Sequence, residues 1–283
     1  MKKGITIVAV AAAVGVMLLL VSAMMPAKAN KVEKALKTKL ETTDQTTTKT
    51  KTDTAATEDS KDKASTPAQK AKKGKKVFLT FDDGPGTNVT PKVLSLLKKY
   101  DMHATFFIVG HYAKQHPELV KRAYEQGNQI GIHTWSHNYR KIYSSKKAFF
   151  EDFDKTERLI IKITGEKPTV CRLPGGSNNS YLKRSMAVSI VKELRSRGYT
   201  VVDWNASSED ATGINYSSKK MAHFAIRDIR ADKKPVVLSH DASFKHKTPA
   251  TAALIIKYCE KHGYNCVTMK EYTGKAPLFI KVK

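Results

Sequence analysis

Cysteine is scarce in this chain: three in 283 residues, at 171, 259 and 266. An odd number sets no disulfide framework. Cys259 and Cys266 could pair, but buried free thiols are the simpler expectation, with Cys171 a packed small apolar side chain. Acidic residues are also few: 26 Asp and Glu against 50 Lys and Arg leave a formal charge of +24. Residues 1–76 carry 16 lysines against 7 acids (+9), and residues 77–283 carry 34 bases against 19 acids (+15). The basic excess therefore belongs to the whole chain and favours anionic partners such as wall polymer, membrane lipid or nucleic acid. No aromatic–basic platform of the RNA-binding type is present, so specific nucleic-acid binding is not expected. No internal repeat is visible either. Between residues 31 and 76 large apolar side chains are almost absent; Lys, Thr, Ala, Asp and Ser dominate. No core can form from that composition, and a disordered tether is expected.

The N-terminus opens Met1-Lys2-Lys3, runs uncharged and apolar from Ile5 to Met25, and continues Pro26-Ala27-Lys28-Ala29-Asn30. The lysine pair fits the start of an export signal, and Ala27-Lys28-Ala29 fits a small-x-small cleavage site. The run is also long enough to span a bilayer. A cleaved signal and a retained single-span anchor both fit, and both place the remainder outside the cytoplasm. The expected division is 1–30 signal or anchor, 31–76 linker, and 77–283 one globular domain.

From residue 77 the pattern becomes globular. Strand-like runs are 77–81, 104–109, 129–133, 169–173, 199–204, 236–239 and 264–268. Helical patterns lie between them. Thr90-Pro91 reads as N-cap and N1 of a helix to about Tyr100. Others run 117–126, 145–164, 185–197, 217–230 and 249–262. Gly127, Gly165, Gly198 and Gly263 stand at C′ positions. Seven strands alternating with six helices predict a parallel α/β architecture.

The chemistry-bearing residues fall at the C-terminal ends of these strands, where parallel barrels collect their working side chains. Asp82 and Asp83 end the first run, and Gly84-Pro85 follows as a stop signal. Neighbouring side chains of a strand point to opposite faces, so both acids can serve one site only if the strand stops there. His133-Thr134-Trp135-Ser136-His137 closes the third run and Arg172 the fourth. Asp210 follows the fifth, and His240 ends the sixth. Two acids with a His-x-x-x-His suggest a metal-dependent hydrolytic site with a spare carboxylate as base. The other six histidines, at 103, 111, 116, 223, 246 and 262, read as surface or helix-end residues.

With these residues the chain resembles the polysaccharide deacetylases of the NodB-homology group, carbohydrate esterase family 4, over about residues 77–268. The motifs are Thr80–Pro85, His133–His137, Arg172-Leu173-Pro174-Gly175-Gly176, Asp203-Trp204-Asn205 through Asp210, and Leu238-Ser239-His240-Asp241. The resemblance implies a distorted (β/α) barrel with about seven parallel strands, hydrolysing an N-acetyl group on a glycan. It implies Asp83, His133 and His137 as ligands of one divalent ion, zinc first, with cobalt, manganese or nickel as alternatives. It implies Asp82 as base, Arg172 as its orienting partner, His240 as acid and Asp210 as the partner of His240. Asp203 and Asp241 are rivals for that last role. It implies the Gly175 N–H as an oxyanion donor and Leu238 as a pocket wall. Two departures stand out: Gly175 replaces an aromatic, and Ala211 a tryptophan. A wider acyl pocket, or one closed by Trp204, is expected. The expected substrate is peptidoglycan N-acetylglucosamine, with N-acetylmuramic acid, chitin-like oligomers or exopolysaccharide as alternatives. A monomer is expected, touching membrane only if the N-terminal segment is retained. A catalytically dead glycan-binding module is the competing reading.

Overall fold

The structure, a computed structural model, describes residues 74–282. The expected signal or anchor and nearly all of the linker lie outside the described residues. Among the described residues no helix is long and apolar enough to cross a membrane.

Eight strands form one sheet, every pair of which is parallel. They are β1 (Lys75–Asp82), β2 (Thr105–Ile108), β3 (Gln129–Ile132), β4 (Val170–Cys171), β5 (Thr200–Val201), β6 (Ala206–Ser207), β7 (Val236–His240) and β8 (Tyr264–Cys266). The order is β5-β4-β3-β2-β1-β7-β6, with β8 paired to the first residues of β1. The sheet curls into an open half-barrel, the distorted (β/α) barrel expected. One more strand is present than the sequence patterns suggest, because β6 is two residues long and too short to show any alternation.

Among the described residues eight α-helices connect the strands: α1 (Thr90–Lys99), α2 (Gly110–Gln115), α3 (Pro117–Glu125), α4 (Tyr139–Ile142), α5 (Lys146–Thr164), α6 (Arg184–Ser196), α7 (Ser218–Ala231) and α8 (Thr248–Lys261). The short α2 and α4 are additional to the six expected. Ser145 caps α5 by accepting from the Ala148 N–H, and Gly165 ends it at φ +73°, a conformation a Cβ disfavours. Thr90 is not the N-cap of α1; Val89 holds that place without a side-chain cap. The Thr90 hydroxyl is engaged elsewhere, accepting from the Gly86 N–H at 2.7 Å and donating to the Asp241 carboxylate.

Alternation along the strands makes two apolar layers. Val77, Leu79 and Phe81 of β1 turn towards the helices, joining Phe106, Ile132, Val237 and the apolar faces of α1, α5 and α8. Phe78 turns into the half-barrel, with Phe107, Val170, Val202 and Val236. Thr80 and Asp82 continue that inner row, so the strand that anchors the core also aims an acid out of its C-terminal end. Cys171, Cys259 and Cys266 are free and buried, as expected.

Candidate active site

β1 ends at Asp82, and the chain reverses at Asp83, whose φ is +70°. That left-handed turn brings the second carboxyl to the side where the first already points. Gly84 and Gly86 let the turn press against the loop after β7. A Cβ on Gly84 would fall on the Asp241 carboxylate, and one on Gly86 would lie 2.6 Å from the Ser243 nitrogen.

The loop after β3 carries His133 and His137 to the same place, with Thr134 and His137 in left-handed conformations. His133 Nδ1 lies 2.8 Å from the Arg172 carbonyl. A carbonyl only accepts, so Nδ1 carries the proton and Nε2 presents its lone pair. The Asp83 Oδ1 atom is 3.4 Å from His133 Nε2 and 3.1 Å from His137 Nε2. Ligands about 2.0–2.2 Å from a tetrahedral ion stand roughly 3.4 Å apart, so these separations suit one shared ion. The same Oδ1 is buried and has no hydrogen-bond partner. The three donors lie within 4.8 Å of one another and could hold a metal. Burial works to raise the Asp83 pKa, but the pull of His133 and His137 outweighs it and holds the carboxyl well below the usual range. An ionised carboxylate with two imidazoles is a donor set for a first-row divalent ion.

Asp82 stands beside this cluster, its Oδ2 3.7 Å from His133 Nε2. Its other oxygen accepts from Arg172 Nη1 at 2.8 Å. Arg172 is fully buried, and every donating edge is used: Nη1 also reaches Thr80 Oγ1 at 2.7 Å, Nε the Val202 carbonyl at 3.1 Å, and Nη2 the Asp203 carbonyl at 2.9 Å. Its plane lies 4.3 Å from the Phe107 ring centroid. Such a fixed guanidinium fixes the carboxylate it touches.

Across the β1–β7 pairing Asp82 is in register with His240. Asp210 grips His240 twice, taking the backbone N–H at 2.8 Å and lying 2.7 Å from Nδ1. Burial disfavours the charged imidazole, but the hydrogen bond and charge of Asp210 prevail and push its pKa up to about 9. Asp210 itself is lowered despite burial, chiefly by His240. Its two rivals are occupied elsewhere. Asp203 accepts from the backbone N–H groups of Ser177 and Phe279, and Asp241 takes the Thr90 hydroxyl. Burial, with Asp83 and Asp82 nearby, pushes the Asp241 pKa up to about 7. The strand count shifts two expectations: Asp210 follows the sixth strand, not the fifth, and His240 ends the seventh, not the sixth.

Leu238 lies on the inner face of β7, one alternation below His240. Gly175 sits in the loop after β4 with φ +74°. Trp204 packs edge-on against Phe279, ring centroids 4.8 Å apart, and against the inner cluster of the half-barrel. Three residues to which the sequence assigns no role also shape the site. Thr80 bridges Arg172 to the Val237 carbonyl. Buried Asp152 of α5 accepts from the N–H groups of Trp135 and Ser136 at 2.5 and 2.8 Å, holding the loop between the two histidines. Tyr139 opens α4 and lies over Gly175. An acid on an amphipathic helix gives no signal in one sequence, and Tyr139 reads only as a neighbour of His137.

The polysaccharide deacetylase family pattern matches residues 69–201. The chain is 34% identical over 209 residues to the peptidoglycan-N-acetylglucosamine deacetylase PgdA of Listeria monocytogenes, covering 73% of this chain and 40% of the relative. It is 33% identical over 198 residues to the peptidoglycan-N-acetylmuramic acid deacetylase PdaC of Bacillus subtilis, covering 70% of this chain and 38% of that one. The crystal structure of the catalytic domain of a peptidoglycan N-acetylglucosamine deacetylase from Eubacterium rectale superposes with a TM-score of 0.66 at 30% identity. That match covers 77% of this chain and 97% of the other. The chain belongs to the polysaccharide deacetylase family. It spans about two fifths of the length of the PgdA and PdaC relatives. In this member of the family the Asp–His–His cluster at the mouth of the half-barrel is a site that could hold a metal ion.

Proposed function

We propose that this chain is a zinc-dependent deacetylase of peptidoglycan N-acetylglucosamine, working outside the cytoplasm and releasing acetate. The observation that carries the reading is the pairing of two differently prepared halves across one cleft. On one side is an acid fixed by a buried arginine beside three metal donors; on the other is a histidine gripped by its own carboxylate.

Asp83, His133 and His137 would hold the ion. A divalent metal bound there would acidify water and polarise the amide carbonyl. Asp82, one oxygen tied to Arg172, offers Oδ2 to take a proton from the attacking water. His240 enters as the imidazolium that Asp210 favours, with Nδ1 locked and Nε2 free to protonate the leaving amine. The Gly175 backbone N–H serves as a donor to the developing oxyanion. Leu238 and Trp204 contribute apolar surface to the pocket. The glucosamine assignment is supported by the PgdA and Eubacterium relatives, and the export reading by the lysine pair and apolar run at the N-terminus.

The test is acetate release from purified peptidoglycan by the full chain, stripped of metal and reloaded with zinc. Activity that vanishes with the metal and returns with it supports the proposal. Release only from muramic acid would move the substrate to the neighbouring sugar, and no release by the zinc-loaded chain would leave the binding-module reading.

A further inference from the structure

We propose that Tyr139 is the specificity-determining wall of the acyl pocket, filling from the metal-binding loop the space that Gly175 leaves open. The inference rests on the deacetylase reading and adds a size limit to it.

Tyr139 is the second residue after His137, and its ring stands edge-on to that imidazole, centroids 5.3 Å apart. It is braced by Tyr181 at 5.2 Å and Tyr143 at 6.1 Å. A Cβ at Gly175 would come within 2.7 Å of Tyr139 Cε1 and 3.1 Å of its hydroxyl. The ring therefore lies directly over Gly175, and no side chain at 175 coexists with it. Neither partner can drift to relieve this. Pro174 is held through its carbonyl by the Tyr143 hydroxyl at 2.7 Å, and the Gly176 N–H donates to Leu173 at 2.8 Å. Tyr143 thus spends its hydroxyl on the loop, whereas the Tyr139 hydroxyl has no hydrogen-bond partner among the described residues and the residue is partly exposed. The ring packs against the edge of the main apolar core, and it also touches His137 and the proposed oxyanion donor, where it is placed to meet substrate. An acyl chain longer than acetyl, seated between the ion and the Gly175 N–H, would run into the ring.

The departure at Gly175 is therefore compensated: the large wall is supplied by α4 instead of the loop after β4. The Ala211 side is different. There a groove of about 470 Å³ opens past Asp210 between Ile214 and Phe244, both well exposed. The pocket is closed on one side only.

The test uses the full chain loaded with zinc, as wild type, Tyr139→Phe, Tyr139→Leu and Tyr139→Ala. Calorimetry gives dissociation constants for acetate and butanoate, and kinetics give kcat/KM on N-acetyl and N-butanoyl glucosamine oligomers. Wild type and Tyr139→Phe should prefer the acetyl ligand by roughly tenfold or more, the usual value of a few methylenes against a wall. Tyr139→Ala, with Tyr139→Leu in between, should erase most of that ratio. A ring that only stabilises the fold would lower both ligands together. An unchanged ratio in Tyr139→Ala, a wild type that does not discriminate, or a wild type that binds neither carboxylate would overturn the inference. If the carboxylate ratios shift as expected but no N-acyl glycan is hydrolysed, the wall stands and the deacetylase reading falls.

Discussion

At the scale of single residues the site depends on fixing groups that are themselves buried. Asp82 is the clearest case. Replacing it with Asn keeps the shape and the Arg172 contact but removes the proposed base, so acetate release should fall by roughly 10²–10⁴-fold. Zinc affinity, measured by titration, should stay within a few fold, because Asp82 is not among the three donors. Asp152 should behave in the opposite way. It holds the backbone between His133 and His137, and losing such support typically costs about 10–100-fold in metal affinity. Asp152→Ala should weaken zinc binding on that scale, while Asp152→Asn, which keeps one acceptor oxygen, should weaken it less.

The pH profile belongs to the same scale. His240, the proposed acid, can donate only while protonated, so activity should fall as pH rises through its pKa, which Asp210 pushes up to about 9 against the effect of burial. A cation at Asp83 works against Asp210 and draws that limb downward. Asp210→Asn should move the alkaline limb towards the ordinary imidazole value of about 6.5. Linkage gives the matching sign for stability. The folded-state pKa is raised, so the contribution of this pair is complete below about pH 6.5 and is lost as pH rises through about 9. Thermal melts of wild type and Asp210→Asn across that window would show the difference closing at high pH.

At the scale of elements, the loop after β1 and the loop after β7 are interlocked through two glycines. Gly86→Ala places a methyl against the backbone of Asp241 and Ser243, which cannot swing aside as a side-chain tip would. A cost of about 1–3 kcal/mol is expected. For a domain of this size that is roughly 2–4 °C in Tm per kcal/mol. Zinc affinity should fall with it, because the same turn carries Asp83.

Much of this element structure was legible in the sequence. The long strands and amphipathic helices announce themselves by period, and their ends by glycines such as Gly165 and Gly198. Asp82, His133 and His240 stand at or just past strand ends, where their sequence patterns stop. What was not legible is short or tertiary. The two residues of β6 and the single turn of α4 carry no period. Thr90 looks like a cap, but its hydroxyl is taken by Asp241, a partner 151 residues away. Asp152 and Tyr139 owe their roles to contacts that no spacing reveals. Asp210, not Asp203 or Asp241, lies against His240 Nδ1, and it follows the sixth strand where the sequence pattern suggests the fifth, because β6 is too short to show a period.

At the scale of the whole molecule, the charge of +15 on residues 77–283 matters for encounter more than for chemistry. A basic domain should gather on an anionic wall polymer, and salt should weaken that association, since screening lengths fall below 10 Å above about 0.1 M. Raising salt should therefore raise the apparent KM on intact peptidoglycan. On an uncharged N-acetylglucosamine oligomer KM should change little, and kcat on either should hold nearly constant. Equal sensitivity of both substrates would place the charge effect within the site itself.

The central claim, a metal-dependent deacetylase of wall glucosamine with Asp82 as base, is tested most directly by mass spectrometry of wall fragments. Peptidoglycan would be treated with the zinc-loaded full chain, and in parallel with its Asp82→Asn variant, then digested and fragmented. Glucosamine residues should lose acetyl groups with the wild type and none above background with the variant. Intact acetyl groups after treatment with wild type that demonstrably holds zinc, or equal loss with Asp82→Asn, would contradict it.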